Sequence, residues 1–175
     1  PLFQHYVGEK WDLLKAEIPY MAFDLRAKGD QVEEFAFIKE DNVRYYDSQD
    51  QLRSLERSLK RYPIVVGHDI KRHTMSRLES MGIKTESHIW DTMEIEILLN
   101  PCRYSYHLTE PESLQEKTKL VNRLFWNQLY RLSLEPNLCE ELAAFLPKEL
   151  SDILRTLQVP VFAQYFSETE DKGEP

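Results

Sequence analysis

The chain has 175 residues, 42% of them hydrophobic, a length and composition that suit one globular domain with its own core. Its formal net charge of −8 argues against a general nucleic-acid binder, because affinity for a phosphate backbone comes mostly from Lys and Arg displacing condensed counterions. Two cysteines, Cys102 and Cys139, form no C-x-x-C pair and no Cys/His cluster, so neither a disulfide framework nor a structural zinc site is expected, and a reducing cytoplasm fits.

Residues 1–19, with Trp11, Leu13, Leu14 and Ile18, read as an arm leading into the domain. Tyr20 to Leu25 is a short apolar run interrupted by Asp24, the pattern of a buried strand. Ala27 to Asp30 is a turn, Val32 to Lys39 a second strand, and Asp41-Asn42 a hairpin turn into Val43 to Tyr46, so the chain opens as an antiparallel meander. Ser48 stands three residues before Gln51, a capping-box spacing, and Leu52, Leu55 and Leu59 follow at helical intervals. Pro63 to His68 is β-branched and apolar, as a buried parallel strand would be. A helix through Met75, Leu78 and Met81 closes at Gly82. Ile89 to Asp91 is a short strand, and Asp91 or Thr92 caps a helix that Asn100-Pro101 stops. Leu114 to Leu132 is helical by its apolar spacing. Residues 133–166 read as a helical extension and 167–175 as a flexible polar tail. Both ends look cut from a longer polypeptide, no membrane span or signal peptide is visible, and β-β-β-α-β-α-β-α is an α/β order with a mixed sheet of about five strands flanked by helices.

Three segments carry a resemblance. They are Met21-Ala22-Phe23-Asp24-Leu25-Arg26, then Val66-Gly67-His68-Asp69-Ile70-Lys71-Arg72-His73-Thr74, then Trp90-Asp91-Thr92-Met93 through Leu99-Asn100-Pro101 with Ser105-Tyr106-His107-Leu108 behind it. In this order they resemble the DnaQ-like DEDD 3′–5′ exonucleases of the ribonuclease-H-like superfamily, which have D-x-E, then G-H-N-x-x-x-D, then D-T-L-x-L-A-x-L-L-x-P with S-Y-x-L. The middle segment is closest to exonuclease-like domains fused to RecQ-type helicases. The likeness covers residues 20–132 and implies a ribonuclease-H-like sheet.

That family hydrolyses a terminal phosphodiester with two Mg²⁺ or Mn²⁺ ions about 3.5–4 Å apart, which several carboxylates must hold. Carried over position by position, Asp24 matches the first acid, Arg26 stands for the second, and Thr74 (or His73, with a shift of one) for the third. Counting back from Leu124-Phe125 puts Lys117 at the last acid and Glu112 at the His that acts as general base in the commonest branch. One negative and two positive charges thus replace four negative ones, so no metal pair and no nuclease activity are expected, and Asp24 is at best a weak metal candidate. Asp24 is expected instead to pair with Arg26, on the same strand face, and with Lys117. His68 and Asp69 either contact a ligand or satisfy backbone groups at a strand-to-helix turn. Lys71, Arg72 and His73, with Lys60-Arg61 and Lys117 to Lys119, would form a basic patch if they shared a face. The expected role is an interaction or positioning module within a larger nucleic-acid-processing protein, with other domains or a protein as partner and single-stranded nucleic acid as a weaker one. A Mg- or Mn-dependent exonuclease and a non-cleaving single-strand binder stay open as alternatives.

Overall fold

A computed structural model describes residues 19–39, 42–103, 105–108 and 113–134. The expected arm up to residue 18, the stretch beyond residue 134 with its tail, the turn residue Asp41, Glu112 and Cys139 lie outside the described residues. The chain divides into two compact units between Phe125 and Trp126, and the unit spanning Pro19–Phe125 holds the sheet.

Five strands, β1 (Tyr20–Lys28), β2 (Gln31–Lys39), β3 (Asn42–Tyr46), β4 (Ile64–Gly67) and β5 (His88–Asp91), form one mixed sheet in the order β3-β2-β1-β4-β5. The meander β1-β2-β3 is antiparallel, while β4 and β5 join β1 in parallel. Strand β1 is central and covered on both sides, which is why residues 20–25 are buried without the alternation of a half-exposed strand. Between β3 and β4 lies α1 (Leu52–Arg61), between β4 and β5 lies α2 (Met75–Ser80), and α3 (Thr92–Leu99) and α4 (Leu114–Leu134) follow β5.

Alternation along β1 sends Met21, Phe23 and Leu25 to one face, where they join Phe35, Phe37 and Val65 of the sheet, Leu55 and Leu59 of α1 and Leu78 of α2 in one apolar cluster. Each of these larger side chains contributes about 1.5–3 kcal/mol by leaving water. Tyr20, Ala22 and Asp24 face the other side, toward the first half of α4. There the Tyr20 hydroxyl donates to Asn122 Oδ1 at 2.6 Å, and Phe125 packs against both Tyr20 and Trp90. The result is the mixed five-stranded sheet flanked by helices, with a helix at its C-terminal end, that the residue pattern predicts. Among the described residues no helix is long and apolar enough to cross a membrane.

Three local details depart from the pattern. Ser48 caps a short 3₁₀ turn, Gln49–Gln51, through Asp50 N–H, and α1 follows only from Leu52. The segment after β4 opens with a single π-helical turn, Ile70–Thr74, where a plain α-helix is predicted. Its first residue, Ile70, is fully buried, and its side chain lies so close to Gly67 that a Cβ there would fall 2.5 Å from Ile70 Cγ2. Strand β1 also runs three residues past Leu25. The Gly82 stop is as expected: at φ +80° it lets Ile83 N–H reach Leu78 O and its own N–H reach Glu79 O, closing α2.

Candidate functional site at the carboxyl ends of the parallel strands

The register pairs Ala22 with Val66 and Val66 with Trp90, so two residues further on Asp24, His68 and Thr92 fall in one row on the face that α4 covers. Ser113 positions the helix above them. Its Oγ accepts Glu116 N–H and its carbonyl accepts Lys117 N–H, which fixes the first turn and sets Lys117 over the row.

Asp24 is buried, and Lys117 Nζ stands 3.3 Å from its Oδ2. Lys117 holds Oδ2 as an ion pair, while Oδ1 accepts the N–H of Leu25 at 2.8 Å. Burial pushes the carboxyl above the usual carboxylate range, against the pull of the Lys117 charge and the Leu25 N–H. Arg26 shares this face but does not join the pair as expected. Its cross-strand partner is Glu34, and the guanidinium takes that carboxylate at 3.0 Å, with Tyr45 OH donating to the other oxygen. Glu34 lies directly opposite and half-buried, so the arginine is satisfied without reaching two residues along its own strand.

His68 is fastened at both ring nitrogens. Nε2 lies 2.8 Å from the carbonyl oxygen of Tyr106, which can only accept, so Nε2 carries the proton. Nδ1 faces the Thr92 hydroxyl at 2.9 Å, and the same hydroxyl lies 3.2 Å from Gly67 O. Burial holds the imidazole below its ordinary pKa and keeps it neutral, in keeping with this tautomer. With both nitrogens engaged, His68 ties the segment 105–108 to the strand end and has none free for proton transfer. Tyr106 itself is anchored through its hydroxyl to Asn100 O.

Asp91 caps α3, as the sequence predicts, and does more. One oxygen accepts the N–H groups of Met93 and Asp69, at 3.0 and 2.9 Å, and the other accepts Lys71 N–H at 3.1 Å. That carboxylate binds the end of β5 to the π-helical turn and steadies Asp69, whose backbone is left-handed at φ 54°. The Asp69 side chain takes Arg72 in a two-pronged pair at 2.9 and 3.0 Å, and Arg72 holds its carboxyl below the usual range. Lys71 is paired with Glu94 at 2.9 Å and Lys119 with Glu116 at 3.0 Å. Lys60 points to Glu56, and Arg61 lies over the ring of Tyr62. Lys71, Arg72, Lys117, Lys119 and Lys60 therefore each have a carboxylate neighbour, which leaves little free charge for the basic patch considered above. Thr74 is half-buried at the end of the π-helical turn and His73 is exposed on it.

The structure thus brings Asp24, Lys117, His68 and Thr92 together and turns Arg26 away to Glu34. Among the described residues no three His, Cys, Asp or Glu side chains converge as metal ligands. The side chain paired with Asp24 Oδ2 is a cation, a donor set unsuited to hard dications, which need several oxygen ligands. Sequence reasoning did not single out the Tyr106 carbonyl, since a backbone acceptor leaves no trace in residue identity, or the second role of Thr92. No protein-family model, no curated protein and no solved structure matches the chain.

Proposed function

We propose that the chain is a catalytically degenerate 3′–5′ exonuclease-like domain that serves as an interaction or positioning module of a larger nucleic-acid-processing protein, a RecQ-like helicase by the resemblance. The observation that carries the reading is the Asp24–Lys117 pair at 3.3 Å. In the resemblance these are the first and last acids of the metal site, and here a lysine from the late helix occupies the space a dication would need. Arg26, at the second acid, is committed to Glu34, and Thr74, at the third, offers only a hydroxyl. What remains at the strand ends is a neutral histidine and carboxylates already engaged by backbone N–H groups or cations, which supports a structural role for these residues.

The test is an assay of the whole chain on 3′-labelled single-stranded DNA and RNA with Mn²⁺ or Mg²⁺, beside Asp24→Asn. The expected result is no shortening above background with either protein. Metal-dependent shortening that Asp24→Asn abolishes would sink the proposal and restore the enzyme.

A further inference from the structure

A second site lies on the opposite face of the sheet, toward the β3 edge. Strand pairing sets Phe37 opposite Arg44 and Phe35 opposite Tyr46, so Phe37, Lys39, Arg44 and Tyr46 share the face that α1 covers. On α1 itself Ser54, Arg57, Ser58 and Arg61 recur at i, i+3, i+4 and i+7 and form one stripe over that surface. Together they line a cavity of about 350 Å³. Four of the lining side chains are cations and none is an acid. Among the described residues, no carboxylate lies within ion-pair distance of Lys39, Arg44, Arg57 or Arg61, whereas Lys60, one position from Arg61 on the same helix, is held by Glu56.

Four cations around one cavity, in a chain of net charge −8, repel one another, and any anion entering relieves that repulsion. Three of the four are arginines, whose planar forks match the oxygens of a phosphate two at a time. Ser54 and Ser58 add hydroxyl donors, and Tyr46, stacked on Phe35 and Phe37, gives the site a fixed aromatic wall. The volume falls in the range of small-ligand pockets and suits one nucleotide unit. We propose that this cavity binds the phosphates of a nucleotide-sized ligand, whether a free nucleoside polyphosphate or one unit of a single strand. The proposal does not rest on the exonuclease resemblance, since these residues lie outside the three motifs and on the face away from Asp24.

The experiment uses the whole chain at low salt with three probes: a short labelled oligothymidylate by fluorescence anisotropy, and ATP and inorganic tripolyphosphate by calorimetry. At least one should bind saturably, with affinity falling as salt rises. Arg57→Glu should weaken binding by about tenfold or more and Arg57→Gln by less, while Lys28→Glu, an equal charge change at an exposed position off the cavity, should alter it by less than about twofold. Circular dichroism and melting temperature establish that each variant is folded, and Arg57→Gln keeps the test open should the charge reversal unfold the chain. Binding of the oligonucleotide without ATP assigns the site to a strand; binding of ATP assigns it to a free nucleotide; binding of tripolyphosphate shows recognition of the phosphates themselves; each supports the proposal. It is overturned if none of the probes binds, if Lys28→Glu weakens binding as much as Arg57→Glu, or if polyglutamate binds as tightly as the best probe with the same dependence on Arg57. Because the site lacks every residue of the Asp24 row, nuclease activity in the parent chain would leave this result unaffected.

Discussion

Replacing Lys117 with methionine keeps the length of the side chain and removes its charge, and so isolates what that charge does for Asp24. At 3.3 Å two unit charges attract by about 5 kcal/mol at an effective dielectric near 20. The carboxyl pKa is nonetheless raised, so burial costs the carboxylate more than Lys117 and the Leu25 N–H return. Without the lysine, the carboxylate escapes by taking a proton. At pH 7 that step costs about 4 kcal/mol, from roughly 1.36 kcal/mol for each unit between the pH and an ordinary carboxyl pKa, and this is the ceiling on the loss. Part of the penalty is already present in the parent, so Lys117→Met should destabilise by about 2–3 kcal/mol at pH 7. The sign with pH follows. A carboxyl whose folded pKa lies above its unfolded value binds more protons when folded, so its penalty is full above the folded pKa and fades toward the unfolded one. Urea denaturation at pH 7 and near pH 4.5 measures this: the difference between variant and parent should shrink on acidification. In an Asp24→Asn background Lys117→Met should cost under about 0.5 kcal/mol. A loss that is the same at both pH values, or undiminished in that background, would mean that the lysine works through the packing of its stem and that the ion-pair reasoning is wrong.

Asp91→Asn removes the acceptor that holds Lys71 N–H while keeping one oxygen for Asp69 and Met93, and should cost about 1–3 kcal/mol in denaturant titration, with faster amide exchange in the π-helical turn. Gly67→Ala drives a methyl into the fully buried Ile70 and should destabilise by about 1–3 kcal/mol, a loss that Ile70→Val in the same chain should partly relieve. His68 has its folded pKa below the ordinary value near 6.5, so the unfolded chain binds the proton first and stability should fall as pH drops from about 6.5 through the folded value. His68→Gln should remove that slope, seen as melting temperature against pH. Tyr62→Phe deletes a buried hydroxyl that has no partner among the described residues and should be neutral or stabilising by up to about 1 kcal/mol by urea denaturation.

The longer helices were legible from the period of their apolar residues, the central strands β1 and β4 from short continuous apolar runs, and the end of α2 because Gly82 takes its backbone angle there without strain. The π-helical turn was not, since the apolar spacing through Met75, Leu78 and Met81 reads as helix without marking how its first turn is wound. Lys117, over the Asp24 row, was found through the resemblance, and Asp91, beside it, through its place ahead of a helix. The mistake was Arg26. Two residues apart on one strand is a shared face, but the nearest neighbour across a sheet is the cross-strand residue, and that is Glu34. The basic cavity was missed although half of it is written as Ser54-x-x-Arg57-Ser58-x-x-Arg61. The other half, Lys39 and Arg44, becomes adjacent only once the hairpin register is known.

Strand β3 is the outermost member of the sheet, five residues long, and among the described residues it pairs with β2 alone. Its outer side is the kind of border along which a second chain could add itself. Arg44 sits in the middle of Asn42-Val43-Arg44-Tyr45-Tyr46 as an exposed charge between residues that favour β-structure, the usual safeguard against such stacking. The same guanidinium thus guards the border against self-association and faces the cavity. A variant that loses it for an apolar residue would be exposed to aggregation, so a loss of ligand affinity at this position can be interpreted only beside the protein's solubility.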